Sequence, residues 1–258
     1  MKALSAALAV CMVGCRAAAP PVVVPPSPVH ILSLGLNDGF HSGLDPATVT
    51  RYCGHTIRTP QLSAEGLLAY YASIASCPSM KTIVLVEGPD VALVAALVPL
   101  LHAGDRLEAG NELELNPHQF SVAQYGAWIA QARAAAGVPI ITGGVFTLND
   151  DTKPYLLAAK AACPDCTLGV HLYEDLSDAD LQWLRDLGRP LAVTEFGAHT
   201  NCDSGLGQKA WIENQWARFA LVPAITAAIV YQRAIGPTCS DADTFGLAPP
   251  AQTLFTAP

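Results

Sequence analysis

Two carboxylates carry the most chemical information in this chain. Glu112 closes an apolar run in Gly110-Asn111-Glu112, and Glu195 closes another in Val193-Thr194-Glu195-Phe196-Gly197. A carboxyl pair of this kind can share the cleavage of an acetal. One donates a proton to the departing oxygen while the other attacks the anomeric carbon. The two groups must then stand about 5 Å apart. They are distant in sequence, so only the fold can bring them together. A closed parallel barrel does so, because all of its strands end on one face.

The elements needed for that are legible. From Val29 onward, short β-rich runs alternate with amphipathic stretches, the pattern of βα units. Strands are expected over 30–36, 56–59, 82–87, 105–112, 138–143, 167–173, 190–195 and 225–232. Helices are expected over 63–76, 89–102, 121–136, 152–162, 177–187 and 207–221, with a short or irregular one around 45–52. Asp178 and Asp180 follow Ser177, where acidic side chains suit a helix N-terminus. The helix after the eighth strand is missing or vestigial, because 248–258 is rich in proline. The reading is one α/β domain over 29–258, a single (β/α)8 TIM barrel with short loops. A doubly wound open sheet is the alternative, but no Gly-rich phosphate loop follows the first strand.

Length and charge agree with this. The chain has 258 residues and a formal net charge of −8, which suits one domain with a large core. An acidic chain lacks the positive charge that neutralises phosphates, so nucleic acid is not an expected partner.

The first 15 residues read as a signal peptide. Lys2 precedes an apolar stretch over 3–13 that is too short to span a membrane. Met12-Val13-Gly14-Cys15 resembles a bacterial lipobox, with Met12 where Leu is usual. Lipidation of Cys15 would anchor the protein to a membrane. The rival is simple secretion with a cut after Ala17-Ala18-Ala19, which would leave Pro20 beside the scissile bond. Residues 16–28 are rich in Pro and Val and read as a semi-rigid tether. The expected location is therefore the bacterial envelope or beyond it.

Eight cysteines fit an exported chain. Setting aside Cys11 and Cys15 leaves six. Cys53 and Cys77 precede neighbouring strands, Cys202 and Cys239 follow the last two, and Cys163 and Cys166 form a close pair. Three disulfides in those pairings are expected. A zinc site is the rival for Cys163-Pro164-Asp165-Cys166, although no second ligand pair accompanies it.

With the strands counted, Asn111-Glu112 closes the fourth and Glu195 the seventh. In this the chain resembles the clan A retaining glycoside hydrolases, (β/α)8 barrels with Asn-Glu ending strand four and Glu ending strand seven. Clan members often carry Arg at the end of strand two, as in Thr56-Ile57-Arg58-Thr59, and His-x-Tyr on strand six, as in His171-Leu172-Tyr173. The resemblance implies a retaining β-glycosidase acting on a β-linked oligo- or polysaccharide, with no metal or cofactor. Glu112 would be the acid/base, its pKa raised by burial or by Glu195. Glu195 would be the nucleophile, kept ionised by Arg58 and Tyr173. Asn111 would bind the sugar 2-hydroxyl. His171 would position Glu112 or bind a hydroxyl. The substrate site would comprise Arg58, Asn111, His171, Tyr173 and Tyr231. Clan members commonly end strand eight with Trp, where this chain has Val230-Tyr231-Gln232-Arg233. Sugar-stacking rings would then come from Tyr231, Tyr173, Phe196, Phe146 or Phe40.

Competing readings attach to these residues. Buried Arg–Glu pairs also serve structure alone. Glu108 and Glu114 share with Glu112 the face that period-two alternation assigns, but only Glu112 follows an Asn at the strand end. Glu87 could line the cleft or cap the next helix. Asn37 and Asp38 could do chemistry or simply turn the chain. A non-catalytic glycan-binding lipoprotein would need no second carboxylate, and a transglycosylase would use the same pair.

Overall fold

The computed structural model describes residues 33–37, 44, 46–115, 117–197 and 206–230. The expected signal peptide, the tether, Asp38, Phe40, Tyr231, Cys202, Cys239 and the segment expected to hold a vestigial last helix lie outside the described residues. The parallel strands are β1 (Ser33–Asn37), β2 (Thr56–Arg58), β3 (Lys81–Val86), β4 (Arg106–Asn111), β5 (Ile141–Gly144), β6 (Leu168–Leu172), β7 (Leu191–Phe196) and β8 (Ile225–Val230). Between them run α1 (Pro46–Tyr52), α2 (Ala64–Ser73), α3 (Val91–Leu97), α4 (Val122–Ala136), α5 (Lys153–Ala162), α6 (Asp178–Asp186) and α7 (Leu206–Ala220).

The strands pair in the order β5-β4-β3-β2-β1-β8-β7-β6. The outer members of that row, β5 and β6, meet through parallel bridges at Ile141–Thr167 and Val145–Val170. The Thr142 amide donates to the Thr167 carbonyl at 2.9 Å, and the His171 amide to the Val145 carbonyl at 2.9 Å. The ring is therefore closed, and the expected (β/α)8 barrel is the fold.

Period-two alternation divides the strand side chains into two layers. Val84, Val86, Leu107, Ala109, Val170 and Val193 join the large core that includes the helix residues Leu67, Trp128, Leu156 and Phe219. Ile83, Ile141, Ala192, Ala227 and Ile229 form a separate small core, the apolar layer inside the ring. The strands consequently read as nearly continuous apolar runs.

Local signals set the helix ends. Ser121 and Ser177 build capping boxes with Gln124 and Asp180, and Gly137 ends α4 at φ 66°. Two expectations need correction. The helix expected over 89–102 is only α3 followed by a 3-10 turn at Val98–Leu100. Pro99 lies inside that turn, and its ring and missing N–H prevent further α-helix. Its cap is not Glu87 but Asp90, which accepts from the Leu93 amide at 2.9 Å.

Two of the expected disulfides are present. Cys53–Cys77 and Cys163–Cys166 have Cα separations of 5.6 and 5.4 Å. The Cys163 and Cys166 sulfurs are thus bonded to each other rather than free as thiolates for zinc. Cys53–Cys77 ties the turn after α1 to the loop before β3. Replacing both with Ala is expected to lower unfolding free energy by about 2–4 kcal/mol, by freeing the unfolded chain. The midpoint of equilibrium urea denaturation, compared with the parent protein, measures it.

Candidate active site

The strand ends on one face of the barrel deliver six of the expected site residues to one place. Arg58 is the last residue of β2 and is buried. Asn111 ends β4, its amide donating to the Glu87 carbonyl at 3.1 Å. Glu112 follows in a left-handed turn, with φ 109° at Gly110 and 48° at Glu112. Its amide donates to the Gly144 carbonyl at 2.9 Å. Gly110 is required here twice over, by its φ and because a Cβ would stand 2.7 Å from a methyl carbon of Leu113. The turn also corrects the expected alternation. Glu108 lies within the strand, whereas Glu112 and Glu114 have already left it, so the three do not share a strand face.

Glu195 owes its position to a second irregularity. Val193 pairs with Val170 but Glu195 pairs with His171, so β7 has an additional residue, Thr194, at that point. Strict alternation from Ala192 in the inner layer would send Glu195 toward the helices. The bulge reverses the phase, as bulges do when they re-aim a side chain. Glu195 then joins Arg58 inside, and Phe196 turns outward against Phe219 and Trp211. Phe196 is fully buried and cannot stack on a sugar, contrary to expectation.

All three nitrogens of the Arg58 guanidinium have acceptors. Nε donates to Glu108 Oε2 at 2.5 Å, Nη1 to Glu195 Oε1 at 2.5 Å, and Nη2 to Asn111 Oδ1 at 2.8 Å. The second Glu195 oxygen accepts from the Tyr173 hydroxyl. Across the site, His171 Nδ1 is 2.7 Å from Glu112 Oε1. His171 Nε2 has no hydrogen bond and lies 3.8 Å from Glu195 Oε1. One carboxylate oxygen of Glu112 lies within 4.8 Å of one of Glu195, with the imidazole beside both. Gly144 makes room for that ring, because a Cβ there would overlap His171 Nε2.

The electrostatics follow from these contacts. Burial by itself would raise the Glu195 carboxyl, but the charges of His171 and Arg58 and the bond from Tyr173 outweigh it and hold its pKa below the ordinary carboxylate value. Burial works against the His171 imidazolium, yet the Glu195 charge and the Glu112 bond keep its pKa above the ordinary 6.5. Burial also disfavours the Arg58 cation, and the two carboxylates more than offset this. One member of the pair is thus strongly held as an anion, while the other faces a ring able to carry a proton.

Glu112, His171 and Glu195 offer atoms of the kind that ligate metals. Both Glu195 oxygens are already engaged, however, and the Arg58 charge beside them opposes a second cation. The arrangement suits proton transfer and nucleophilic attack better.

Sequence reasoning left out two residues that border this cluster. Glu108, set aside as a rival for Glu112, is fully buried on the inward phase of β4. Its two-residue offset from Gly110 placed it inside the barrel, where a carboxylate needs a cation. Glu114 is pushed up by burial, and it accepts from the Phe146 amide at 2.6 Å. Phe146 is exposed, with its ring 5.9 Å from that of Tyr173. Trp128 instead donates to the Ala109 carbonyl at 3.1 Å from the helix layer.

No protein-family model and no curated protein matches the sequence. Solved structures do. The chain is similar to a GH128 subgroup II endo-β-1,3-glucanase from Sorangium cellulosum, at 22% identity and a TM-score of 0.56, over 88% of this chain and 98% of that one. A subgroup II endo-β-1,3-glucanase from Pseudomonas viridiflava matches at 18% identity and a TM-score of 0.62, over 88% and 98% of the two chains. A variant of a subgroup I endo-β-1,3-glucanase from Amycolatopsis mediterranei, in complex with laminaripentaose, matches at 14% identity and a TM-score of 0.59, over 86% and 98%. At these identities the likeness is one of fold.

The charge pattern has a measurable consequence. Stability from the His171 imidazolium is present below its unfolded pKa of about 6.5 and fades as pH rises through the higher folded value. Stability from Glu195 is present above its unfolded pKa of about 4.3 and fades as pH falls through the lower folded value. Glu112→Gln is expected to lower the His171 midpoint, because a neutral amide supports the charged ring less. Imidazole proton–nitrogen correlation spectra across the titration read this directly. An unchanged midpoint would mean that Glu112 does not hold the ring in solution.

Proposed function

We propose that this protein is a retaining β-glycosidase acting on β-linked glucan, with Glu112 as acid/base and Glu195 as nucleophile. The observation that carries the reading is the carboxylate pair itself. Its oxygens approach within 4.8 Å, with one carboxylate clamped by Arg58 and Tyr173. That spacing suits double displacement, where no water need fit between the carboxylates. The GH128 neighbours are endo-β-1,3-glucanases, one of them in complex with laminaripentaose, which supports a β-1,3-linked glucan as the substrate.

In the first step the ionised Glu195 attacks the anomeric carbon. The bond to the leaving oxygen breaks, and that oxygen takes the Glu112 proton. A glycosyl ester on Glu195 and a free sugar hydroxyl result. In the second step Glu112 takes a proton from water, whose oxygen displaces Glu195 and restores the original anomeric configuration. In this reading Asn111, whose side-chain oxygen accepts from Arg58, meets the sugar 2-hydroxyl, and His171 steadies Glu112. Phe146 and Tyr173 offer flat surfaces for sugar rings. Water and the glycan are the only reactants. Export with a lipid anchor on Cys15 is part of the same proposal and would hold the barrel at the envelope, near external glycans.

The test is hydrolysis of a panel of β-1,3-glucan, β-1,4-glucan and β-1,4-mannan, with the first-formed anomer followed by proton NMR. Cleavage of the β-1,3-glucan to a β-anomer is expected, and an α-anomer would exclude retention. Glu195→Ala should lose activity on every substrate. Glu112→Ala should lose about 10²–10⁴-fold on poor leaving groups but far less on activated aryl glycosides, and azide should rescue it as a β-glycosyl azide. Azide rescue of Glu195→Ala as a β-glycosyl azide, with Glu112→Ala unaffected, would instead reverse the roles. Oligosaccharides longer than the substrate would mark a transglycosylase, and binding without turnover a glycan-binding protein.

A further inference from the structure

Beneath the proposed catalytic pair lies a third carboxylate, Glu108, for which that mechanism has no role. It is completely buried in the barrel interior. One of its oxygens takes the Arg58 Nε–H at 2.5 Å, and the other accepts from the Gly144 amide at 3.2 Å. Arg58 is therefore shared between two buried carboxylates, each 2.5 Å away.

The sharing has a consequence for the two-step reaction. Before attack, Arg58 faces two anions. When a Glu195 oxygen bonds to the anomeric carbon, the leaving oxygen departs with its bonding electrons and the Glu112 proton. Glu195 becomes a neutral ester. Without Glu108 the guanidinium would then be a buried cation with no charged partner among the described residues, which is strongly unfavourable. With Glu108 it stays paired through both steps.

We propose that Glu108 is a positioning residue, the permanent counter-ion of Arg58, which holds the guanidinium in place and neutralised while Glu195 loses and regains its charge. This rests on the retaining mechanism proposed above. Glu108 also restrains the end of β5 through Gly144, the residue whose missing side chain admits His171. Among the described residues, the charged and titratable groups facing Glu195 include Arg58 from β2, Glu112 from beyond β4, and His171 and Tyr173 from β6 and its end.

The test uses the direction of a pH shift. Glu108→Gln keeps the size and one acceptor but removes the charge. If Glu108 is the counter-ion, Arg58 then acts on Glu195 alone. The Glu195 carboxyl titrates lower, and the acid limb of kcat/KM against pH moves to lower pH. Alongside this, kcat/KM falls by about 10²-fold, as expected for a disturbed catalytic geometry. Glu108→Asp, which retains the charge, should leave the acid limb at its parent position. A merely structural Glu108 predicts the opposite, since loss of Arg58 from the site would move the limb to higher pH. That outcome, or an unmoved limb with kcat/KM within about threefold of the parent, overturns the proposal. If the Gln variant does not fold, the Asp variant decides, and a limb displaced to higher pH in it overturns the proposal. Carbon-13 titration of the Glu195 carboxyl reads the same shift without turnover. An inactive parent protein would defeat the proposed function, while that titration would still show whether Glu108 sets the charge balance at Glu195.

Discussion

One buried guanidinium organises this molecule's chemistry. Arg58 sits inside the barrel with a carboxylate on Nε, another on Nη1 and an amide oxygen on Nη2. A cation so enclosed survives only because its partners are in place, and those partners come from two strands beyond its own. Breaking such a pair commonly costs about 3–5 kcal/mol, although an apolar replacement of the whole set is often neutral or better. Stability alone is therefore a poor account of the cluster. Its effect is to hold one carboxylate, Glu195, ionised in a place where burial by itself would favour the neutral form.

The barrel meets that requirement through departures from its own regularity. A strand with strict alternation would direct Glu195 toward the helices, and the extra residue at Thr194 turns it inward. A regular β4 would carry Glu112 past the ring, and the left-handed turn through Gly110 and Glu112 folds it back beneath Gly144. Glycine at 144 then leaves space for the imidazole. Each irregularity disrupts local pairing, and each stands within three residues of a site side chain. The regular layers below, with Ile83, Ile141, Ala192, Ala227 and Ile229 in the ring, hold these strand ends at fixed spacing.

The two carboxylates share one imidazole, and this couples their charges. His171 bonds Glu112 through Nδ1 and turns Nε2 toward Glu195. A proton on the ring favours the anionic form of Glu195, while the Arg58 charge disfavours that proton. The protonation of Glu195 and His171 is thus coupled through their mutual charge and that of Arg58. Asn111 connects this balance to the open face by bonding Arg58 and preceding Glu112.

Much of this was legible in the residues in order. The alternation of apolar runs and amphipathic stretches determined eight strands and the helices between them, because burial acts over a few residues. Pro99 shortened one helix, however, and Asp90 rather than Glu87 caps it. The cysteine spacing determined two of the bridges that the fold contains. The residue types at the strand ends determined which side chains would meet, since a closed parallel barrel leaves them one face. What only the tertiary structure decided was orientation. The bulge at Thr194 depends on the register of β7 against β6, and the burial of Phe196 follows from it. Glu108 read as a rival for Glu112 until β4 placed it against Arg58, a residue fifty positions earlier in the chain. Such pairings arise from non-local packing inside a closed ring, and no run of neighbouring residues encodes them.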